Sequence, residues 1–109
     1  MNTLRLILLS LIICSVSSFG GEIYGTIKEG ERPVGRGVRL EIKTAARAYP
    51  AVTDDFGNYR VVVGETGKCA ITVQFREQSI LGEIQSYFTS VRFDWVLEKR
   101  GETYLLKRQ

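Results

Sequence analysis

The sequence predicts an all-β fold, a seven- or eight-stranded antiparallel β-sandwich preceded by a signal peptide. Three observations predict it. Apolar residues alternate with polar ones in run after run, and a period of two lines one face of a strand. Turn-forming clusters, "KEGERPVGRG", "TDDFGN", "GETG" and "EKRGE", separate the runs. No helical stripe is sustained anywhere after Gly21. Short strands at such spacing pack as two sheets over one core.

The first element is a leader. Arg5 precedes an apolar run from Leu6 to Ile13, and Ser15, Ser17, Ser18, Gly20 and Gly21 follow. A basic start, an apolar stretch and then small residues make up a secretory signal peptide. The run is shorter than the roughly 20 residues that span a bilayer, which places an uncleaved anchor second. Cleavage after Gly20 fits, with Ser17 as another candidate, so residues 1–20 read as signal and 21–109 as one domain. A lipobox at Cys14 would need a small residue directly before it, and Ile13 stands there. The expected location is the periplasm or the extracellular space, with no membrane span once the signal is removed.

The strands follow in order. Ile23, Gly25 and Ile27 alternate with Tyr24, Thr26 and Lys28. Val38, Leu40 and Ile42 share a face, as do Tyr59, Val61 and Val63, then Cys69, Ile71, Val73 and Phe75. A single later strand should carry Val91, Phe93, Trp95 and Leu97 inward. Shorter candidates are 48–53, 84–88 and 103–107, and Pro50 limits any helical turn at 45–48.

Composition narrows the chemistry. Without the leader, the chain keeps fourteen basic and twelve acidic side chains, too mild and dispersed a balance for nucleic acid. With no histidine, catalysis by Ser-His-Asp or Cys-His and imidazole-dependent zinc sites are ruled out. Cys69 is the one cysteine after the leader, so no internal disulfide forms, and its inward phase gives it the role of a small apolar residue. Glycosidase chemistry needs two acids about 5 to 10 Å apart in a cleft, for which a small sandwich with short loops has little material. The expectation is a protein that is not an enzyme and has no cofactor.

The stretch Thr53-Asp54-Asp55-Phe56-Gly57-Asn58-Tyr59 is the densest polar motif. As a calcium loop it lacks the alternate acid spacing and the distal glutamate of an EF-hand, although Asp54, Asp55 and Asn58 leave a weak site open. The turn reading accounts for more residues. Asp54 accepts from the amide two residues on, Asp55-Phe56 form the centre of a type I turn, and Gly57 turns left-handed. The expected result is a hairpin with a glycine bulge, with Tyr59 starting the next strand inward.

"GTIKEGERPVGRGVRLEI", "TDDFGNYRVVV" and "GKCAITVQF" together resemble the carboxypeptidase regulatory-like domain, among the transthyretin-like and starch-binding-like sandwiches. Gly25, Ile27, Pro33, Val34, Val38, Leu40, Thr53, Asp54, Gly57 and Tyr59 fit the pattern. Cys69 stands where the pattern has an aromatic, and "SVRFDWVLEKRGETYLLKR" resembles the closing strands of bacterial versions. The resemblance implies a prealbumin-like, Greek-key sandwich serving as a non-catalytic module of an envelope or secreted protein. The histidine-dependent hydroxyisourate hydrolase branch is excluded, since the chain lacks histidine and ends "LLKRQ".

Two functions are expected from this reading. One is protein–protein contact through a strand edge or the loop ends. The other is polysaccharide binding through exposed rings drawn from Tyr24, Tyr49, Phe88 and Tyr104. Trp95 is expected in the core.

Overall fold

A computed structural model describes residues 21–109; the predicted signal peptide lies outside them. The strands are β1 (Glu22–Glu29), β2 (Arg32–Pro33), β3 (Arg39–Lys43), β4 (Ala48–Val52), β5 (Asn58–Val62), β6 (Gly67–Phe75), β7 (Gln78–Ser86), β8 (Val91–Arg92), β9 (Trp95–Arg100) and β10 (Thr103–Arg108). They form a six-stranded and a four-stranded sheet, arranged like a sandwich.

The first sheet is built around β1. Its Glu22–Thr26 segment pairs with β5 and its Lys28–Glu29 end with β2, both antiparallel. On its other side β1 runs parallel to β8 and β9, and β10 closes that edge antiparallel to β9. The second sheet has the order β4-β3-β6-β7 and is antiparallel throughout.

This corrects the sequence reading in three respects. The first sheet is mixed rather than antiparallel, because the chain returns to β1 at the end where β1 begins, with the Gly21 amide bonded to the Tyr87 carbonyl. Among the described residues there are ten strands rather than seven or eight, because two-residue β2 adds a segment and the expected 91–97 strand is split. The split follows from a turned carbonyl at Phe93: it accepts the Tyr59 hydroxyl at 2.6 Å, and the Thr26 amide bonds Asp94 Oδ1 at 2.9 Å instead. Third, the strand placed at 84–88 begins at Gln78. A two-residue turn at Arg76-Glu77, φ 47° and 66°, joins β6 to β7. Side chains rarely adopt such left-handed angles. Arg76 offsets the strain by stacking 5.1 Å from the Phe75 ring centroid and bonding Glu29 at 3.1 Å.

The core follows the alternation closely. Ile23, Ile27, Leu40, Ile42, Tyr59, Val61, Ile71, Val73, Phe93, Trp95 and Leu97 are all buried between the sheets. Trp95 is 2% exposed, and its ring passes so near Gly82 that a Cβ there would lie 3.1 Å from it. One seam between the sheets is closed by Gln78, whose side-chain amide donates to the Glu102 carbonyl and accepts from the Tyr104 amide. It thus substitutes for a backbone rung where β7 and β10 meet.

Candidate functional site

The Thr53–Tyr59 stretch is a corner between sheets. Asp54 Oδ1 accepts the amides of Phe56 and Asn58, each at 2.9 Å. The Gly57 amide bonds the Asp54 carbonyl at 3.1 Å, and Gly57 has φ 75°. Locally these are the bonds of a type I turn followed by a left-handed glycine. The expected hairpin nonetheless does not form, since β4 pairs with β3 and β5 with β1. The turn therefore carries the chain from the second sheet to the first.

Each motif residue has a distinct place. Thr53 is buried; its hydroxyl donates to the Gly35 carbonyl at 2.6 Å and accepts the Val38 amide at 3.0 Å. The amides of Asn58 and Phe56 hold the Asp54 carboxyl below its ordinary range. Asp55 points to solvent in a two-point pair with Arg36. Gly57 is packed against the Ile27 carbonyl, which a Cβ would meet at 2.6 Å. Tyr59 lies in the core, where its hydroxyl accepts Trp95 Nε1 at 3.2 Å while donating to Phe93.

Beside this corner lies a groove of about 510 Å³ on the outer face of the first sheet. Its centre is Tyr24, flanked across the strands by Arg60 and Arg92. The Arg92 guanidinium lies 5.8 Å from the Tyr24 ring centroid, and Val52, Asp54 and Asn58 complete the wall. Salt bridges fix both arginines, Arg60 to Glu22 at 3.2 Å and Arg92 to Asp94 at 2.9 Å. Burial works against the Asp94 charge, but Arg92 and the Thr26 amide prevail and keep its carboxyl low. Both arginines thus border the groove in ion pairs at its surface.

Tyr24 was a candidate ring from sequence; Arg60 and Arg92 were not singled out. Alternation puts all three outward, but their adjacency depends on strand pairing, with antiparallel β5 setting Arg60 and parallel β8 setting Arg92 beside Tyr24. Of the other candidate rings, Phe88 is 77% exposed while Tyr104 is buried. Tyr49 is half-buried; its hydroxyl donates to Glu65, which also accepts from Thr44. The Thr44 bond, then the Tyr49 bond, lowers the Glu65 carboxyl.

A second cavity, about 720 Å³, opens between the sheets at the opposite end. Cys69 lines it, 8% exposed, and burial pushes its thiol up. Lys43, Lys68 and Arg108 also line it, with Glu83 as its acid. Among the described residues, no three Cys, Asp or Glu side chains group so as to hold a metal ion. No family model matches the chain, and no curated protein matches it by sequence.

Proposed function

We propose that the chain is an exported, non-catalytic module that works by protein–protein contact in the periplasm or outside the cell. It is read as a prealbumin-like sandwich of the carboxypeptidase regulatory-like kind, needing no cofactor. The observation that carries this reading is the Arg92–Tyr24–Arg60 row in a groove walled by the exposed Val52. Tyrosine and arginine dominate the energetic centres of protein interfaces.

The state of the reactive groups supports a binding role. Asp54, Asp55, Asp94 and Glu65 are each engaged in hydrogen bonds, and the Cys69 thiol is raised. A raised, buried thiol is a poor nucleophile. Co-purification from an envelope fraction, with light scattering, tests the proposal. Wild type should recover a partner or self-associate, and Tyr24→Ala with Arg60→Ala should not. A strictly monomeric wild-type protein with no partner would contradict it.

Polysaccharide binding is the second reading, favoured by the Tyr24 ring in a groove that also carries Asp54, Asn58, Arg60 and Arg92. Retention on a polysaccharide panel that Tyr24→Ala abolishes would replace the protein-contact reading. Absence of retention on every sugar would eliminate the alternative.

A further inference from the structure

The seam between β7 and β10 is closed at one end by the Gln78 side chain. It stays packed at Gly82, where an added Cβ would lie 3.0 Å from Leu106. Past Gly82 it opens into the larger cavity of about 720 Å³, which Ile84 of β7 and Arg108 of β10 both line. Small-molecule sites are concave, roughly 300–1,000 Å³, and mostly apolar with a few placed polar groups. Here the floor is Cys69, Ile84 and Phe93, all buried. The lining carries three basic side chains, Lys43, Lys68 and Arg108, against one acid, Glu83. Arg108 is drawn over the floor, its guanidinium 4.4 Å from the Phe93 ring centroid.

An independent observation comes from the wall. Ser86 stands between the lining residues Gln85 and Tyr87, with its side chain on the inward face that it shares with Ile84. It is 1% exposed, and among the described residues its hydroxyl is the one buried side-chain polar atom without a hydrogen-bond partner. Folding rarely leaves such a group unpaired, because burial strips its water and returns nothing. Ser86 pairs with Gly67 across the β6–β7 ladder, so the basic Lys68 stands next to it.

We propose that this cavity binds a small amphipathic carboxylate, aromatic or aliphatic. Its apolar body covers Ile84 and Phe93, its carboxylate meets Lys68 and Arg108, and the Ser86 hydroxyl donates to it. An inorganic anion would satisfy the charges but leave the apolar floor in contact with water. A neutral apolar molecule would cover the floor and gain nothing from the basic groups or the hydroxyl. Only a ligand with both parts uses the whole lining. The Tyr24 groove lies on the outer face of the first sheet, so the two sites stand or fall separately.

The test uses the full chain and a fluorescent aromatic anion, anilinonaphthalene sulfonate, whose sulfonate stands in for the carboxylate. Its emission should rise on binding and saturate. Decanoate or benzoate should displace it, and inorganic phosphate should not. Phenylnaphthylamine, the same rings without the charge, should bind about tenfold more weakly, the loss expected when a charge-assisted bond is absent. Lys68→Glu should lower affinity for the anion by a similar factor and Ser86→Ala severalfold, with thermal melts no lower than wild type as the folding control. Occupancy should also slow alkylation of Cys69, read by peptide mass spectrometry, which places the probe in this cavity. Tyr24→Ala with Arg60→Ala should change none of these results. The proposal is overturned by no saturable binding, by equal affinity for the charged and uncharged probes, or by binding that leaves Cys69 alkylation unchanged. Affinity that survives both Lys68→Glu and Ser86→Ala would overturn it as well.

Discussion

The Tyr59 hydroxyl donates to the Phe93 carbonyl at 2.6 Å, inside the core and across two strands of one sheet. The same oxygen accepts the Trp95 indole N–H at 3.2 Å. This bond holds the Phe93 carbonyl out of the β1 ladder. It thereby leaves the Thr26 amide to Asp94, and Asp94 in turn positions Arg92 in the groove. Core and surface are linked through one phenol. Tyr59→Phe removes that phenol and leaves a buried carbonyl and a buried indole N–H without partners. The expected loss is about 1–3 kcal/mol by denaturant titration, with an unchanged strand content by circular dichroism. A variant as stable as the wild type would show the bond to be dispensable.

Gly25 permits the turned carbonyl. A Cβ there would lie 2.0 Å from the Phe93 oxygen, far inside any contact distance. Gly25→Ala is therefore expected to destabilise more than Tyr59→Phe does, because backbone has to move rather than a bond being lost. Comparing the two midpoints in urea checks the order.

Trp95→Ala empties the largest buried side chain of the core. A loss of about 3–5 kcal/mol is expected, a large part of the stability of a domain this small. An unchanged melting temperature would contradict the placement of β9.

The pH dependence has two arms of opposite origin. Asp54, Glu65, Asp94 and Glu98 all have lowered folded-state values. Each contributes stability that is complete above its unfolded value, near 4, and is lost as pH falls through the folded one. Burial raises the Tyr59 phenol well above the ordinary tyrosine value, near 10. Its contribution is complete below pH about 10 and is lost as pH rises beyond it. Melts across pH should therefore be flat through neutrality and fall at both ends. Tyr59→Phe should diminish the alkaline fall, while the acid contributions of Asp54, Glu65 and Glu98, which do not touch Tyr59, persist.

The alternating faces were legible because period two is a local property. Ile23, Leu40, Val61, Ile71, Trp95 and Leu97 are inward as their runs require. The bonds around Asp54 were legible for the same reason, since every partner lies within four residues. What the turn connects was not legible, because a sheet-to-sheet corner and a hairpin use the same local bonds. The Arg76-Glu77 turn was hidden because neither residue favours left-handed angles, and packing on Phe75 and Glu29 supplies what propensity lacks. The split at Phe93 depends on Tyr59, 34 residues away in sequence. The groove was obscure for a similar reason, as Arg92 meets Tyr24 only through a parallel pairing that no short-range signal announces.

The most direct test of the central claim, that the Tyr24 groove is the contact surface, is site-specific photo-crosslinking. A benzophenone amino acid would replace Tyr24, and in a control would replace the exposed Leu81 on the second sheet. Irradiation of the envelope fraction should yield a discrete protein adduct from position 24 that is absent from position 81. No adduct at position 24, or the same adducts from both positions, would contradict the account.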